Sequence, residues 1–125
     1  MLVRTVSFTT AISNADCHAK NVSFLLEGGQ LSLAPLYDTV PTALWPSLRA
    51  NATMALAIND VAMVAAISVD DIFAEARRWR IPTDVARRSA IELLEELQSV
   101  IGSCDHPGVA ELVTQNTERM LAGSR

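Results

Sequence analysis

Apolar positions recur at helical spacing through the C-terminal half of the chain. Val69, Ile72, Phe73, Ala76 and Trp79 fall on one face of a helix that Ser68 is placed to cap. Pro82 is expected to end that helix and Thr83 to cap the next. Ala86, Ala90, Ile91, Leu94, Leu97 and Ile101 line the second helix, and Gly102 follows as a stop. A third helix is expected from Pro107, with Val109, Leu112, Val113, Asn116 and Met120 on its inner face. At the other end, Leu2 to Ile12 is apolar with interspersed threonines and reads as the end of a buried helix.

The period changes after residue 21. Val22-Ser23-Phe24-Leu25-Leu26 is rich in strand formers, Glu27-Gly28-Gly29-Gln30 is a turn, and Leu31-Ser32-Leu33 resumes alternation. This is the pattern of a β-hairpin closed by a Gly-Gly turn. Between residues 39 and 68, Pro41 and Pro46 interrupt helices and Trp45 is expected to anchor the core. Thr53 to Ala66 reads as a short strand followed by a short helix. The expected fold is mainly α (α+β): one domain over residues 1–125, helical, with a single hairpin at one end.

Composition narrows the function classes. Half of the residues are apolar, which excludes disorder, and aromatics make up only 5%. A net charge of −4 and a pI near 5.0 argue against bulk affinity for nucleic acid or anionic membranes. Cys17 and Cys104 are far apart with no second pair, so neither a disulfide framework nor a CxxC metal site is readable, and they fit a reducing, cytoplasmic setting. Ser7, Thr9, Thr10 and Ser13 break up any signal-peptide core, and no run of eighteen apolar residues spans a bilayer.

The chemistry concentrates in Asn14-Ala15-Asp16-Cys17-His18-Ala19-Lys20-Asn21 and in Leu36-Tyr37-Asp38. A strand advances about 3.3 Å per residue, so a hairpin carries the chain out and returns it close to its start. Asn21 precedes the first strand and Asp38 follows the second, so the two are expected to meet at the open end, with Asp16 one loop turn away. Phosphoryl transfer calls for such an inventory: an acid to take or orient the acceptor's hydroxyl proton, and hard oxygen ligands for Mg²⁺. An Asp-x4-Asn spacing alone is common, and Asp and Asn also cap loops by bonding nearby amides. The ordered combination with Gly28-Gly29 and Tyr37-Asp38 is far more specific.

Together, Asn14 to Ser23, Gly28-Gly29 and Leu33-Ala34-Pro35-Leu36-Tyr37-Asp38 resemble the C-terminal catalytic half of HipA-type serine/threonine kinases, toxins of bacterial toxin–antitoxin pairs. The specific likeness covers about residues 5 to 40. It implies ATP as phosphoryl donor, Asp16 as catalytic base, and Asn21 and Asp38 as Mg²⁺ ligands. His18, Ala19, Lys20, Asn21, Tyr37 and Asp38 would line the nucleotide phosphates. Phosphoinositide-type lipid kinases also use Asp-x-His-x-x-Asn, but Lys20-Asn21 and Pro35-Leu36-Tyr37-Asp38 favour the HipA reading. Asn14-Ala15-Asp16 stands where eukaryotic-type kinases carry His-Arg-Asp, and Asp38-Thr39-Val40 stands for Asp-Phe-Gly.

Fifteen residues precede Asp16, without glycine or lysine, and Lys20 is the only lysine. Glycines at 28, 29, 102, 108 and 123 cannot compose a phosphate-cradling loop. The expectation is a C-terminal lobe without its nucleotide lobe, binding ATP·Mg²⁺ weakly and turning over negligibly by itself. Its missing counterpart would leave an apolar surface near residues 2 to 12. Two alternatives are a non-catalytic module that docks a partner such as a HipB-like antitoxin, and half of a split kinase completed by a separate N-lobe. DNA would be reached only through the antitoxin.

Several of these residues also have plainer roles. His18 could brace the loop rather than touch phosphate, and Tyr37 could be a packed aromatic with a polar tip. Nothing near Cys17 in sequence marks it as reactive. Arg77, Arg78, Arg80, Arg87 and Arg88 read either as a phosphate-contacting patch or as a solvated face balanced by Glu75, Asp84 and Glu92.

Overall fold

A computed structural model describes residues 1–49 and 52–123. Helix α1 (Leu2–Ala11) is central, packed against α3 (Val69–Arg78), α4 (Thr83–Val100) and α5 (Pro107–Ala122). Its buried residues include Thr5, Thr9 and Thr10 beside Val3 and Ala11. The threonine hydroxyls donate to carbonyls within the same helix, Thr9 and Thr10 both to Val6 O (3.1 and 2.9 Å), so they enter the core already satisfied. The interface of α3 with α4 is built on fully buried Ala76, Ala86 and Ala90 beside Ile72 and Leu94. Met120 of α5 is also fully buried in this core.

The helix ends largely follow local chemistry. Ser68 and Asp71 form a reciprocal capping box at the start of α3: Ser68 N–H donates to Asp71 Oδ2 (2.9 Å) and Asp71 N–H to Ser68 Oγ (3.4 Å). The helix stops before Trp79, with Arg80 left-handed (φ 60). Thr83 does not cap α4. It is the first helical residue, and Pro82, which has no N–H to lose, occupies the cap position. The helix ends at Val100, and Gly102 lies inside a following 3-10 turn (Ile101–Ser103) rather than forming a left-handed stop. At α5, His106 Nδ1 accepts from Val109 N–H (3.3 Å) ahead of Pro107.

The expected hairpin is present as β1 (Phe24–Glu27) and β2 (Gln30–Leu33), antiparallel with Phe24 opposite Leu33 and Glu27 opposite Gln30. Gly28 and Gly29 both have positive φ (56 and 81), as a two-residue turn matched to strand twist requires. A second hairpin replaces the strand and helix expected over 53–66. It comprises β3 (Thr53–Ile58) and β4 (Val61–Met63), with a 3-10 turn (Val64–Ala66) only afterwards. Its turn uses Asn59 and Asp60 at φ 51 and 65, the non-glycine residues that best tolerate this region. Helix α3 holds that turn: Asn59 donates to Glu75 and Asp71, and Arg78 bridges Asp60 and Glu75.

One expectation about apolar residues fails, and a second holds only along one flank of α1. Trp45 is 51% exposed, because it follows a 3-10 turn (Thr42–Leu44) whose inward residue is the small Ala43 and precedes α2 (Pro46–Arg49) at the surface. Most of α1 is covered by the other helices rather than left open. The large exposed apolar side chains are concentrated instead on the first hairpin, where Phe24, Leu26 and Leu31 are 60%, 72% and 69% exposed. One flank of α1 does remain accessible, with Met1, Arg4 and Phe8 facing Leu36 and Leu93 across a cavity of about 710 Å³.

Candidate functional site

The end of α1 creates the loop that carries the motif. Ser13 N–H donates to Thr10 O (3.0 Å) and Asn14 N–H to Thr9 O (2.8 Å), the paired bonds of a Schellman helix stop. Ser13 adopts the left-handed conformation (φ 54) that this stop needs and that glycine usually supplies. The chain is then held from three directions. Thr42 Oγ1 donates to Ser13 O (2.7 Å) and accepts from Ala15 N–H (3.0 Å). Ala55 N–H on β3 donates to Ala15 O (2.9 Å), and Asn116 Nδ2 on α5 donates to both Ala11 O and Ser13 Oγ (2.8 Å each).

Asn21 and Asp38 meet as their placement around the hairpin predicts. Asn21 closes a 3-10 turn (Ala19–Asn21); its Oδ1 accepts from His18 N–H (3.0 Å) and its Nδ2 donates to Asp38 Oδ2 (3.0 Å). Asp38 is itself left-handed (φ 55), and its carbonyl accepts from Asn14 Nδ2 (3.2 Å). Both main chain and side chain of Asp38 are therefore tied to the 14–21 loop. Tyr37 is half-exposed, but its hydroxyl donates to Lys20 O (2.6 Å) and lies 2.9 Å from Ser23 Oγ, so its polar tip closes the base of the hairpin. The Ala19 and Lys20 side chains face solvent.

Asp16 stands apart from that pair. It is exposed, no hydrogen bond from the described residues engages its carboxylate, and it borders a cavity of about 370 Å³ with Ala15, Thr42, Leu48, Ala52 and Thr53. Among the described residues no three His, Cys, Asp or Glu side chains form a metal-binding group. Asn21 and Asp38 thus offer two oxygen-bearing groups, one amide and one carboxylate. Two buried polar atoms of the loop, Asn14 Oδ1 and His18 Nδ1, have no hydrogen-bond partner among the described residues.

Burial pushes the Cys17 thiol upward, against a hydrogen bond with Thr9 that lowers it, and the Asp16 charge adds to the rise. The thiol stays protonated near neutrality and is a poor nucleophile. The arginines around Trp79 are mostly occupied: Arg78 by Asp60 and Glu75, Arg88 by Asp84, and Arg87 by the ring of Phe73 at 5.6 Å. That is the solvated, charge-balanced face. Sequence places Asn116 on an inner helix face but marks neither it nor Thr42 as holding the loop, since their bonds to it span 27 to 105 residues.

Three likenesses to known proteins accompany this geometry. The sequence description of the HipA-like C-terminal domain matches residues 1–103. A curated Sinorhizobium fredii protein named "Putative kinase Y4mE" is 28% identical over 94 residues, covering 75% of this chain and 22% of that protein. A solved structure from Shewanella oneidensis MR-1, described as the toxin–antitoxin system HipA, HipB and operator DNA complex, superposes with a TM-score of 0.70 at 20% identity. It covers 96% of this chain and 29% of the matched one, so the chain spans under a third of either relative. With the match extending over most of its length and the fold agreeing, the chain belongs to the HipA-like C-terminal domain family.

Proposed function

We propose that these residues form the catalytic-loop half of an ATP- and Mg²⁺-dependent protein serine/threonine kinase of toxin–antitoxin type. The observation that carries the reading is the Asn21–Asp38 contact (3.0 Å), which couples the motif loop to the far end of the hairpin. An amide oxygen and a carboxylate are hard ligands of the kind Mg²⁺ takes beside substrate phosphates, a role that does not need a dedicated protein cage. The unpartnered Asn14 Oδ1 and His18 Nδ1 beside them fit a site that gains polar contacts when a ligand arrives.

In this reading Asn21 and Asp38 hold the cation, while residues 18–21, Tyr37 and Asp38 border the phosphates. Bound Mg²⁺ would supply neutralisation of the charge that develops on the transferred phosphoryl group. Asp16, with its free and exposed carboxylate, accepts or orients the proton of an acceptor serine or threonine hydroxyl entering beside it. These 125 residues contain no glycine-rich phosphate loop, so the chain by itself positions ATP poorly and turns over negligibly. Activity then depends on a nucleotide lobe supplied by further sequence or by a separate protein. A HipB-like antitoxin is the proposed partner, by analogy with the structural neighbour, and two free cysteines suit a cytoplasmic setting.

Titration of the chain with Mg²⁺·ATP, followed by amide NMR, tests this. Weak binding that shifts residues 18–21 and 37–38, without autophosphorylation, is the expected outcome. Shifts confined to other residues would remove the site; micromolar binding with autophosphorylation would remove the dependence on a second lobe.

A further inference from the structure

We infer that Asn116 on α5 is a positioning residue for the motif loop, acting through the side chain of Ser13. Its consequence for metal binding rests on the kinase reading, whereas its geometry does not. Asn116 is 8% exposed and shares a helix face with Leu112, Val113 and Met120, where an apolar side chain would pack without any polar group to satisfy. Asparagine is also a modest helix former. Both hydrogens of its Nδ2 instead reach the end of α1, one to Ala11 O and one to Ser13 Oγ, each at 2.8 Å.

Ser13 explains the arrangement from the other side. It occupies the left-handed position of a Schellman stop, where a Cβ is disfavoured and glycine is the usual choice. What serine has and glycine lacks is Oγ, and that atom is the acceptor for Asn116. The tether continues directly into the proposed site. Ser13 O is fixed by Thr42, the next residue Asn14 holds the Asp38 carbonyl, and Asp38 Oδ2 receives Asn21 Nδ2. A rotation at Ser13 therefore moves Asn14 and, through it, the left-handed backbone of Asp38. Helix α5 lies beyond residue 103, where the family match ends, so this restraint comes from outside the matched segment.

The test compares the wild-type chain with Asn116→Leu and Ser13→Gly by amide hydrogen exchange and by Mn²⁺ broadening of the Asn21 and Asp38 amides. Ser13→Gly keeps the helix stop comfortable and removes only the tether, so it folds even if Asn116→Leu does not. Ser13→Gly, which loses one hydrogen bond, is expected to exchange about tenfold faster at Asn14 and Ala15, and Asn116→Leu, which loses two, at least as fast, with interior amides of α3 and α4 unchanged. Apparent Mn²⁺ affinity should fall by a similar factor well below the melting temperature, which a purely structural contact would not cause. Unchanged exchange at Asn14 and Ala15 in Ser13→Gly overturns the inference, as does acceleration spread evenly over the chain. So does wild-type Mn²⁺ affinity in a variant whose loop has loosened. Absence of Mn²⁺ broadening in the wild type would instead count against the kinase reading, and the exchange pattern would still decide whether Asn116 positions the loop.

Discussion

Asn21 and Asp38, seventeen positions apart, are joined by a 3.0 Å bond from Nδ2 to Oδ2 across the open end of the first hairpin. Neither element alone places them. The Gly28-Gly29 turn sets the register, Tyr37 closes the base, and Asn14 fixes the Asp38 backbone. A hairpin with a two-residue turn is thus the device that converts a sequence separation into a side-chain contact.

Tyr37→Phe should loosen that base without altering its apolar packing. It removes the bond to Lys20 O and the contact with Ser23 Oγ at a half-exposed position. The expected cost is about 0.5–1.5 kcal/mol, a decrease of several degrees in thermal midpoint. A melt followed by far-UV circular dichroism measures it, and an unchanged midpoint would mean the tip contributes nothing.

The start of α3 should be acid-sensitive. Burial tends to raise the Asp71 carboxyl, but hydrogen bonds from Ser68 N–H, Asn59 and the Ser68 hydroxyl outweigh it and hold the group below its ordinary value. A depressed folded-state value means stability is present above the unfolded-state value and is lost as pH falls from about 4 through the lower folded value. Asp71→Asn should flatten this part of the pH–stability curve. An identical acid slope in the variant would assign the effect elsewhere.

Cys17 should alkylate slowly. In a Cys104→Ser background at pH 8, iodoacetamide should modify the folded chain more slowly than a free cysteine, because burial disfavours the thiolate. Urea unfolding should restore ordinary reactivity. Fast labelling of the folded chain would contradict the burial seen beside Thr9.

The Asn59-Asp60 turn should depend on its anchors. Asn59→Ala loses both tolerance for positive φ and the side-chain bond to Asp71, so a loss of about 1–3 kcal/mol is expected by urea denaturation. Asn59→Gly keeps the backbone and loses only the side-chain bond, and should fall between the two. Equal stability of the Ala and Gly variants would show that backbone strain is irrelevant there.

The helices and the first hairpin were legible because their signals are local: apolar spacing from Val69 to Met120, Ser68 as a cap, and two glycines in a turn. The second hairpin was not, since Asn59 and Asp60 are weaker turn markers than glycine and their conformation is secured by Asp71 and Glu75 on a later helix. Trp45 misled because its size suggested burial, while Ala43 fills the inward position. At the site, Asn21 and Asp38 could be paired from the hairpin's geometry alone. Thr42 and Asn116 could not: the spacing puts Asn116 on an inner helix face, but nothing local to either residue names its distant partner at the end of α1.

The most direct measurement is Mn²⁺ titration of the chain in the presence of ATP, comparing wild type with Asp38→Asn by paramagnetic broadening of backbone amides. Asp38→Asn removes the carboxylate charge while keeping a side chain of the same shape. The account predicts saturable broadening centred on Asn21 and Asp38 in the wild type and at least about tenfold weaker affinity in the variant. Equal affinity in both proteins, or broadening centred away from these two residues, would contradict it.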